Sequence, residues 1–96
     1  MNDSKIKVAL IGYGHIGQRH ATVINASKQF ELVVLVDAHH THLPESLPET
    51  ILFFTSIDDF LKANTGAQLA VIATPNGLHS QQINLCIDHN MDVVAE

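Results

Sequence analysis

Three glycines near the N-terminus have the spacing of a phosphate-binding turn. The segment GYGHIG places Gly12, Gly14 and Gly17 in the pattern G-x-G-x-x-G, directly after an aliphatic run. The first glycine permits a tight turn, the second leaves room for a pyrophosphate against the backbone, and the third lets a helix approach a sheet closely. Because helix N-terminal amides attract anions, the segment predicts a dinucleotide site. The alternative is a tightly packed turn that binds no ligand.

A single carboxylate lies where such a site needs one. Asp37 follows Gly17 by 20 residues and ends the apolar run LVVLV. A carboxylate at this place accepts hydrogen bonds from the adenosine ribose hydroxyls and repels a 2′-phosphate, which favours NAD and leaves NADP as the less favoured cofactor. His39 or His40 would soften that preference. The alternative for Asp37 is a solvated turn residue, because aspartate also favours turns for local reasons.

A second polar group follows a later apolar run. The segment from Thr74 through Pro75 and Asn76 to His79 comes directly after LAVIA. Ligands of open α/β sheets bind along the edge where the strands end. Small polar groups on this loop would hydrogen-bond the nicotinamide-side ribose, and His79 would reach toward it from the start of a helix. The alternative is an ordinary turn followed by a helix.

The elements that must position these residues alternate along the chain. Apolar runs predict five strands, at residues 5–11, 32–36, 51–54, 69–73 and 92–96. Helical spacing predicts helices over about 15–27 and 79–89, and a short helix capped by Ser56. Pro44 and Pro48 make the segment 38–50 irregular. The pattern indicates the α/β class: a Rossmann-like parallel sheet in the order 3-2-1-4-5 with helices on both faces.

Particular side chains are expected to face the core from the helices. On the first helix we expect Ile16, Val23 and Ile24 to pack against the sheet. On the last helix we expect the same of Ile83, Cys86 and Ile87. Asn90 is expected to end that helix in the left-handed conformation, since asparagine is the best substitute for glycine there.

Length and composition exclude several classes of protein. The 96 residues allow one domain, and 10 acidic residues against 5 basic ones argue against a nucleic-acid binder. The apolar runs are far too short to span a membrane. One cysteine, Cys86, and no signal region indicate a reducing cytoplasm.

His39, His40 and His42 are adjacent in a loop without cysteine or carboxylate partners, so we expect no metal site there.

The sequence stops on a strand, which leaves an unpaired edge. We therefore expect residues 1–96 to form a dinucleotide-binding domain that is truncated after its fifth strand, with any substrate domain absent. The free edge at residues 92–96 would also allow self-association into a homo-oligomer.

The quoted segments together resemble a known family. GYGHIGQRH, VVLVD, VIATPNGLH and VVAE resemble the N-terminal cofactor domain of the Gfo/Idh/MocA oxidoreductases over almost the whole chain. Family members use NAD or NADP, act mostly on sugars, cyclitols and polyols, and carry a second α/β domain. The resemblance implies that Gly12, Tyr13, Gly14, His15 and Ile16 bind the pyrophosphate, Asp37 the adenosine ribose, and Thr74, Asn76 and His79 the nicotinamide side. The expected cofactor-binding residues also include Gly17, Pro75 and Glu96.

The end of the chain bears on activity. Glu96 matches the glutamate of the family's Glu-Lys-Pro motif, whose lysine would be the next residue. The resemblance implies hydride transfer between a nicotinamide cofactor and a substrate hydroxyl carbon, but the 96 residues alone are expected to bind and not to catalyse. A free-standing, non-catalytic regulatory module that binds a dinucleotide is the alternative. The segments 38–50 and 90–92 depart from the family's usual pattern.

Overall fold

The computed structural model describes residues 5–95, with Asn76 described by its backbone alone. Five parallel strands form one sheet in the order β3-β2-β1-β4-β5, which confirms the predicted Rossmann-like fold. The elements in chain order are β1 (Ile6–Ile11), α1 (His15–Ala26), β2 (Phe30–Val36), β3 (Leu52–Phe54), α2 (Ile57–Lys62), β4 (Leu69–Ile72), a 3-10 turn (Asn76–Leu78), α3 (His79–Asp88) and β5 (Asp92–Ala95).

The strand register brings the carboxyl ends of four strands to one level. Ile11, the last residue of β1, pairs with Val36 of β2 and with Ile72 of β4. Val36 in turn pairs with Phe54, the last residue of β3. Because the strands are parallel and end together, the four segments that follow them emerge side by side at one edge of the sheet.

The sheet is covered on both faces, which explains why the strands are almost continuously apolar. Val8 and Leu10 of β1 face one core cluster, which α1 and the segment after β2 cover. Ala9 and Ile11 face the other cluster, which α2 and α3 cover. Side chains of β1 residues 8–11 are at most 1% exposed.

The proline-containing segment between β2 and β3 is irregular, as the sequence predicts. The amides of Leu47 and Ile51 donate to the carbonyls of Pro44 and Pro48, so each proline opens a turn. Leu47 and Ile51 are buried in the core beside Tyr13. The segment therefore covers the sheet with side chains from turns instead of with a helix.

Helix α1 contacts the sheet through a narrower stripe than the sequence predicts. Its buried residues are Gly17, Ala21 and Ile24, spaced four and three apart. The prediction that Ile16 and Val23 also face the core is wrong, since they are 47% and 67% exposed. Small residues at positions 17 and 21 let the helix lie close to the sheet, so only one row of side chains fits between them.

Helix α3 also contacts the sheet through fewer residues than the sequence predicts, in its C-terminal half. Cys86 is fully buried and Ile83 packs against the core, but Ile87 is 54% exposed, which corrects the prediction that it faces the sheet. Asn90 has a φ of 66° directly after the helix, so the predicted left-handed end is confirmed.

Candidate functional site

A cleft of about 900 Å³ lies along the carboxyl edge of the sheet. It is formed mainly by the four segments that emerge together there. These segments comprise residues 12–16 after β1, 37–39 after β2, 55–57 after β3 and 73–75 after β4, joined by Leu78 and Gln82. The topology thus brings the glycine motif, Asp37 and the Thr74 loop, which are distant in sequence, to one surface.

Two of the three glycines are required by close approach of the backbone. Gly12 has a φ of +102°, and a Cβ there would lie 2.9 Å from the carbonyl oxygen of Ala73. A Cβ on Gly17 would overlap the carbonyl oxygen of Gly12. Any side chain at either position would push α1 or the loop after β4 away from the glycine turn that follows β1.

The middle glycine has a different role, because it faces open space. A Cβ on Gly14 would meet nothing within 4 Å, although Gly14 lines the cleft. Gly14 is also the N-cap of α1, with no side-chain capping bond and no acidic residue in the first turn. The first amides of α1, from His15 and Ile16 onward, are therefore left for an anion in the cleft.

The backbone and the side chain of Tyr13 lie in different environments. Its ring is buried in the core, at 8% exposure, and lies edge-on to the imidazole of His40 with ring centroids 5.8 Å apart. Its amide donates a 2.6 Å hydrogen bond to Oδ2 of Asp37. The residue therefore anchors the glycine loop in the core and to the end of β2.

Asp37 is the one buried charged or polar residue among those the structure describes, at 6% exposure. While Oδ2 accepts from Tyr13, Oδ1 accepts a 2.7 Å bond from the amide of His39. The Nδ1 atom of His40 lies 3.1 Å from Oδ1, in a geometry less favourable than that of the two amide bonds.

These contacts keep the carboxylate ionised. Burial by itself raises the pKa of Asp37, but the His40 side chain and the amides of His39 and Tyr13 together outweigh it, so the pKa lies below its ordinary value of 3.8. At neutral pH the cleft therefore contains a fixed negative charge at the end of β2. Each carboxylate oxygen retains acceptor capacity beyond one amide bond.

On the opposite side of the cleft, a hydrogen-bond network fixes the loop after β4. Nε2 of His79 lies 2.6 Å from the carbonyl oxygen of Thr74, and the Thr74 hydroxyl donates to Oε1 of Gln82. Thr74 and Gln82 line the cleft, whereas His79 is not among its lining residues. His79 thus holds the loop after β4 through Thr74, and its predicted contact with a ligand stays a prediction.

The structure describes most, but not all, of the predicted site residues. Pro75 lines the cleft beside Thr74. The side chain of Asn76 and the whole of Glu96 lie outside the described residues.

Sequence reasoning missed several lining residues. Thr55 and Ser56 follow β3, and the rule that ligands bind at strand ends would have found them. Leu78 and Gln82 also line the cleft, but helical spacing alone does not distinguish Gln82 from its exposed neighbours. Ile16, assigned above to the core, instead forms an apolar part of the cleft wall.

The composition of the cleft wall limits its chemistry. No lysine or arginine is among the lining side chains that the structure describes, so the groups facing an anion are backbone amides and the histidines His15 and His39. Within residues 5–95, no three histidine, cysteine or carboxylate side chains come together as metal ligands. In the same part of the chain, every helix is too short or too polar to cross a membrane.

Comparison with known proteins agrees with this geometry. The chain is 29% identical over 93 residues to inositol 2-dehydrogenase of Mycolicibacterium gilvum, covering 95% of this chain and 27% of that protein. It is 32% identical over 95 residues to inositol 2-dehydrogenase 1 of Mycolicibacterium vanbaalenii, covering 97% and 28%. The chain thus spans little more than a quarter of these relatives.

Solved structures show the same fold. Scyllo-inositol dehydrogenase from Lactobacillus casei, determined with bound NAD(H) and scyllo-inositol, superposes with a TM-score of 0.80 at 23% identity over 96% of this chain and 28% of that one. The model of the oxidoreductase family with an NAD-binding Rossmann fold, Gfo/Idh/MocA, matches residues 6–96. The chain therefore belongs to the Gfo/Idh/MocA oxidoreductase family and constitutes its NAD-binding domain.

Proposed function

We propose that the cleft binds NAD(H) along the carboxyl edge of the sheet. The observation that carries this proposal is the open space at Gly14, beside helix amides that no side chain caps. A pyrophosphate would receive hydrogen bonds from those amides, and its charge would be favoured by the helix dipole. The adenosine ribose would lie toward Asp37, and the nicotinamide side toward Thr74 and Pro75.

We further propose that the domain serves a dehydrogenase of sugars, cyclitols or related polyols. The relatives named above are inositol dehydrogenases, and another relative, 28% identical, is glucose-6-phosphate 3-dehydrogenase of Bacillus subtilis. The bound nicotinamide would supply the hydride acceptor or donor, while this chain binds and orients the cofactor.

The 96 residues alone are proposed to bind without turnover. The curated relatives are about 3.5 times longer, which is consistent with a substrate domain in the remainder. Hydride transfer from a hydroxyl carbon also needs a group that accepts the hydroxyl proton, and such general acid–base help typically contributes about 10² to 10⁴ in rate.

A free-standing regulatory module that binds a dinucleotide is the other function considered. The family match and the dehydrogenase relatives favour the cofactor domain of an enzyme over this alternative. The two also differ in what they predict for β5, where Val94 is 49% exposed at the sheet edge. A cofactor domain detached from its remainder would associate through this edge, whereas a free-standing module would remain monomeric.

The test is a calorimetric titration of the protein with NADH and NADPH. We expect saturable binding with one site per chain, and loss of that binding in Gly14→Val. Gly77→Val is the matched control, since a Cβ at Gly77 also meets nothing within 4 Å and Gly77 does not line the cleft. Failure of both cofactors to bind folded protein would refute the proposed function.

A further inference from the structure

Thr74 and Gln82 form a polar pair in the wall of the cleft. Thr74 lines the cleft from the loop after β4, and Gln82 lines it from near the start of α3. The Thr74 hydroxyl donates a 2.5 Å hydrogen bond to Oε1 of Gln82. The carbonyl oxygen of Thr74 lies 2.6 Å from Nε2 of His79, so a second contact to the same helix holds Thr74 in place.

The bond between the two side chains gives each of them a different role toward a ligand. A threonine hydroxyl has one proton, and here that proton is directed at Gln82, so Oγ1 of Thr74 can offer a ligand only its lone pairs. The Nε2 atom of Gln82 carries two N–H donors. Among the residues that the structure describes, the Gln82 side chain has no other hydrogen-bond partner. The pair therefore presents an acceptor beside a donor.

An apolar surface adjoins the Thr74–Gln82 pair. Leu78 precedes Gln82 by four residues, which is about one helical turn, so the two side chains are neighbours on the helix surface. Leu78 is 46% exposed and lines the cleft together with Pro75. Apolar side chains beside a few polar groups are typical of a site that buries a flat ring and fixes its orientation through its polar edge.

Both bases of a nicotinamide dinucleotide have an edge that matches this pair. The carboxamide of nicotinamide has a carbonyl acceptor beside an amino donor. Adenine has a ring-nitrogen acceptor beside its 6-amino group, and glutamine is a side chain that pairs with that edge. The nicotinamide is the base expected here, because we place the nicotinamide side of the cofactor toward Thr74.

We propose that the Thr74–Gln82 pair recognises the amino group of a cofactor base together with the acceptor next to it. Nε2 of Gln82 donates to the acceptor, and Oγ1 of Thr74 accepts from the amino group. Gln82 is a specificity-determining residue, because its bond to Thr74 prevents that hydroxyl from donating to a base that lacks the amino group. The inference rests on the proposed cofactor function and adds a residue that reads the base.

The experiment measures dissociation constants for NADH and two analogues by calorimetric titration, in the protein as its reading frame encodes it. The reduced 3-acetylpyridine analogue has a methyl group in place of the amino group of the carboxamide. The reduced hypoxanthine analogue has an oxygen in place of the 6-amino group of adenine. The quantity compared is the ratio of the analogue's constant to that of NADH. Loss of one hydrogen bond should raise this ratio about five- to tenfold for the analogue whose altered base meets the pair.

Three variants separate recognition by Gln82 from other causes. Gln82→Leu releases the Thr74 hydroxyl, which can then donate to the analogue's oxygen, so the raised ratio should fall. Gln82→Glu keeps an acceptor for that hydroxyl and should retain the raised ratio, since its added charge acts equally on all three dinucleotides. Gln81→Leu is the matched control, because Gln81 is exposed in the same helix and does not line the cleft. It should behave as the parent protein does.

The outcomes distinguish this inference from the cofactor proposal. A raised ratio that falls in Gln82→Leu supports the inference, and the analogue that shows it identifies the base. If NADH binds but neither analogue has a raised ratio, the inference is overturned while the cofactor site stands. It is also overturned if the raised ratio persists in Gln82→Leu, since a purely structural role of Gln82 would weaken all three dinucleotides equally. If none of the three binds, the cofactor proposal itself is overturned.

Discussion

The carboxylate of Asp37 accepts a 2.6 Å hydrogen bond from the amide of Tyr13, a residue 24 positions earlier in the chain. The bond joins the end of β2 to the glycine loop after β1. With the second bond from the amide of His39, it satisfies two backbone donors at a buried position. Asp37 therefore organises the cleft in the absence of ligand, in addition to the ribose contact that we propose for it.

Replacing Asp37 by asparagine should destabilise the fold as well as weaken cofactor binding. Asparagine offers one acceptor oxygen, so one of the two amides would lose its partner, at a cost of about 1–3 kcal/mol. The free energy of unfolding, measured by urea titration at pH 7, should fall by that amount. Asp92→Asn, at an exposed position, should change it little. An unchanged urea midpoint in Asp37→Asn would show that the carboxylate has no structural role.

The lowered pKa of Asp37 also predicts an acid-dependent part of stability. Because the folded-state pKa lies below the ordinary value of 3.8, the unfolded chain takes up a proton more readily. The stabilisation is thus complete at pH values well above 3.8 and is lost as pH falls through and below that value. Urea midpoints between pH 6 and pH 3 should fall less steeply in Asp37→Asn than in the parent protein.

Two glycines of the motif, Gly14 and Gly17, should respond differently to alanine. Gly17→Ala would force a methyl group into the carbonyl of Gly12, so we expect loss of the folded state in thermal unfolding. Gly14→Ala has free space and a φ of −78°, so its melting temperature should change little while its affinity for NADH falls about tenfold or more. Gly77→Ala should change neither property. Equal loss of stability in Gly14→Ala and Gly17→Ala would contradict this division of roles.

The sheet order and the glycine loop could be predicted because each depends on a local pattern. Continuous apolar runs specify buried parallel strands, and a glycine-rich turn between strand and helix has few alternative geometries. The predicted ends of helices were similarly reliable, with Ser56 accepting a bond from the amide of Asp59 and Asn90 in the left-handed region.

The errors arose where tertiary packing selects among similar residues. Helical spacing could not show that small residues at Gly17 and Ala21 narrow the contact stripe of α1 and leave Val23 in solvent. The role of Gln82 depends on a bond to Thr74, eight positions away across a turn, and no periodicity encodes it. The inward position of Tyr13 depends likewise on the irregular segment that covers it.

His79 should affect cofactor affinity without contacting the cofactor. Its Nε2 atom bonds to the carbonyl oxygen of Thr74 and His79 is not among the lining residues of the cleft, so His79→Ala frees the loop after β4. The loss of about one hydrogen bond predicts a roughly five- to tenfold rise in the dissociation constant for NADH. Ser80→Ala, at the next and exposed position, is the control. An unchanged dissociation constant in His79→Ala would contradict a role for this bond in holding the loop.

Two helices end on asparagines whose backbone conformations favour glycine. Asn64 follows α2 with a φ of 55°, and Asn90 follows α3 with a φ of 66°. At the end of α3, the amides of Asn90 and Met91 bond back to the carbonyls of Ile87 and Cys86, and Met91 and Cys86 share one core cluster. These paired bonds with an apolar contact form a Schellman motif, which requires a left-handed residue at Asn90.

The free energy of unfolding of variants at these two positions should therefore follow how well each residue type tolerates a positive φ. Asn90→Gly should preserve or raise the free energy of unfolding, whereas Asn90→Ala should lower it by about 1 kcal/mol, because a Cβ without a compensating polar group is disfavoured there. The same order is expected at Asn64. Asn84→Ala, at an exposed position inside α3, should be neutral or stabilising, since alanine is the better helix former. Urea titration of all five variants measures these changes. Equal destabilisation by glycine and alanine at position 90 would mean that the asparagine side chain, and not its backbone conformation, ends the helix.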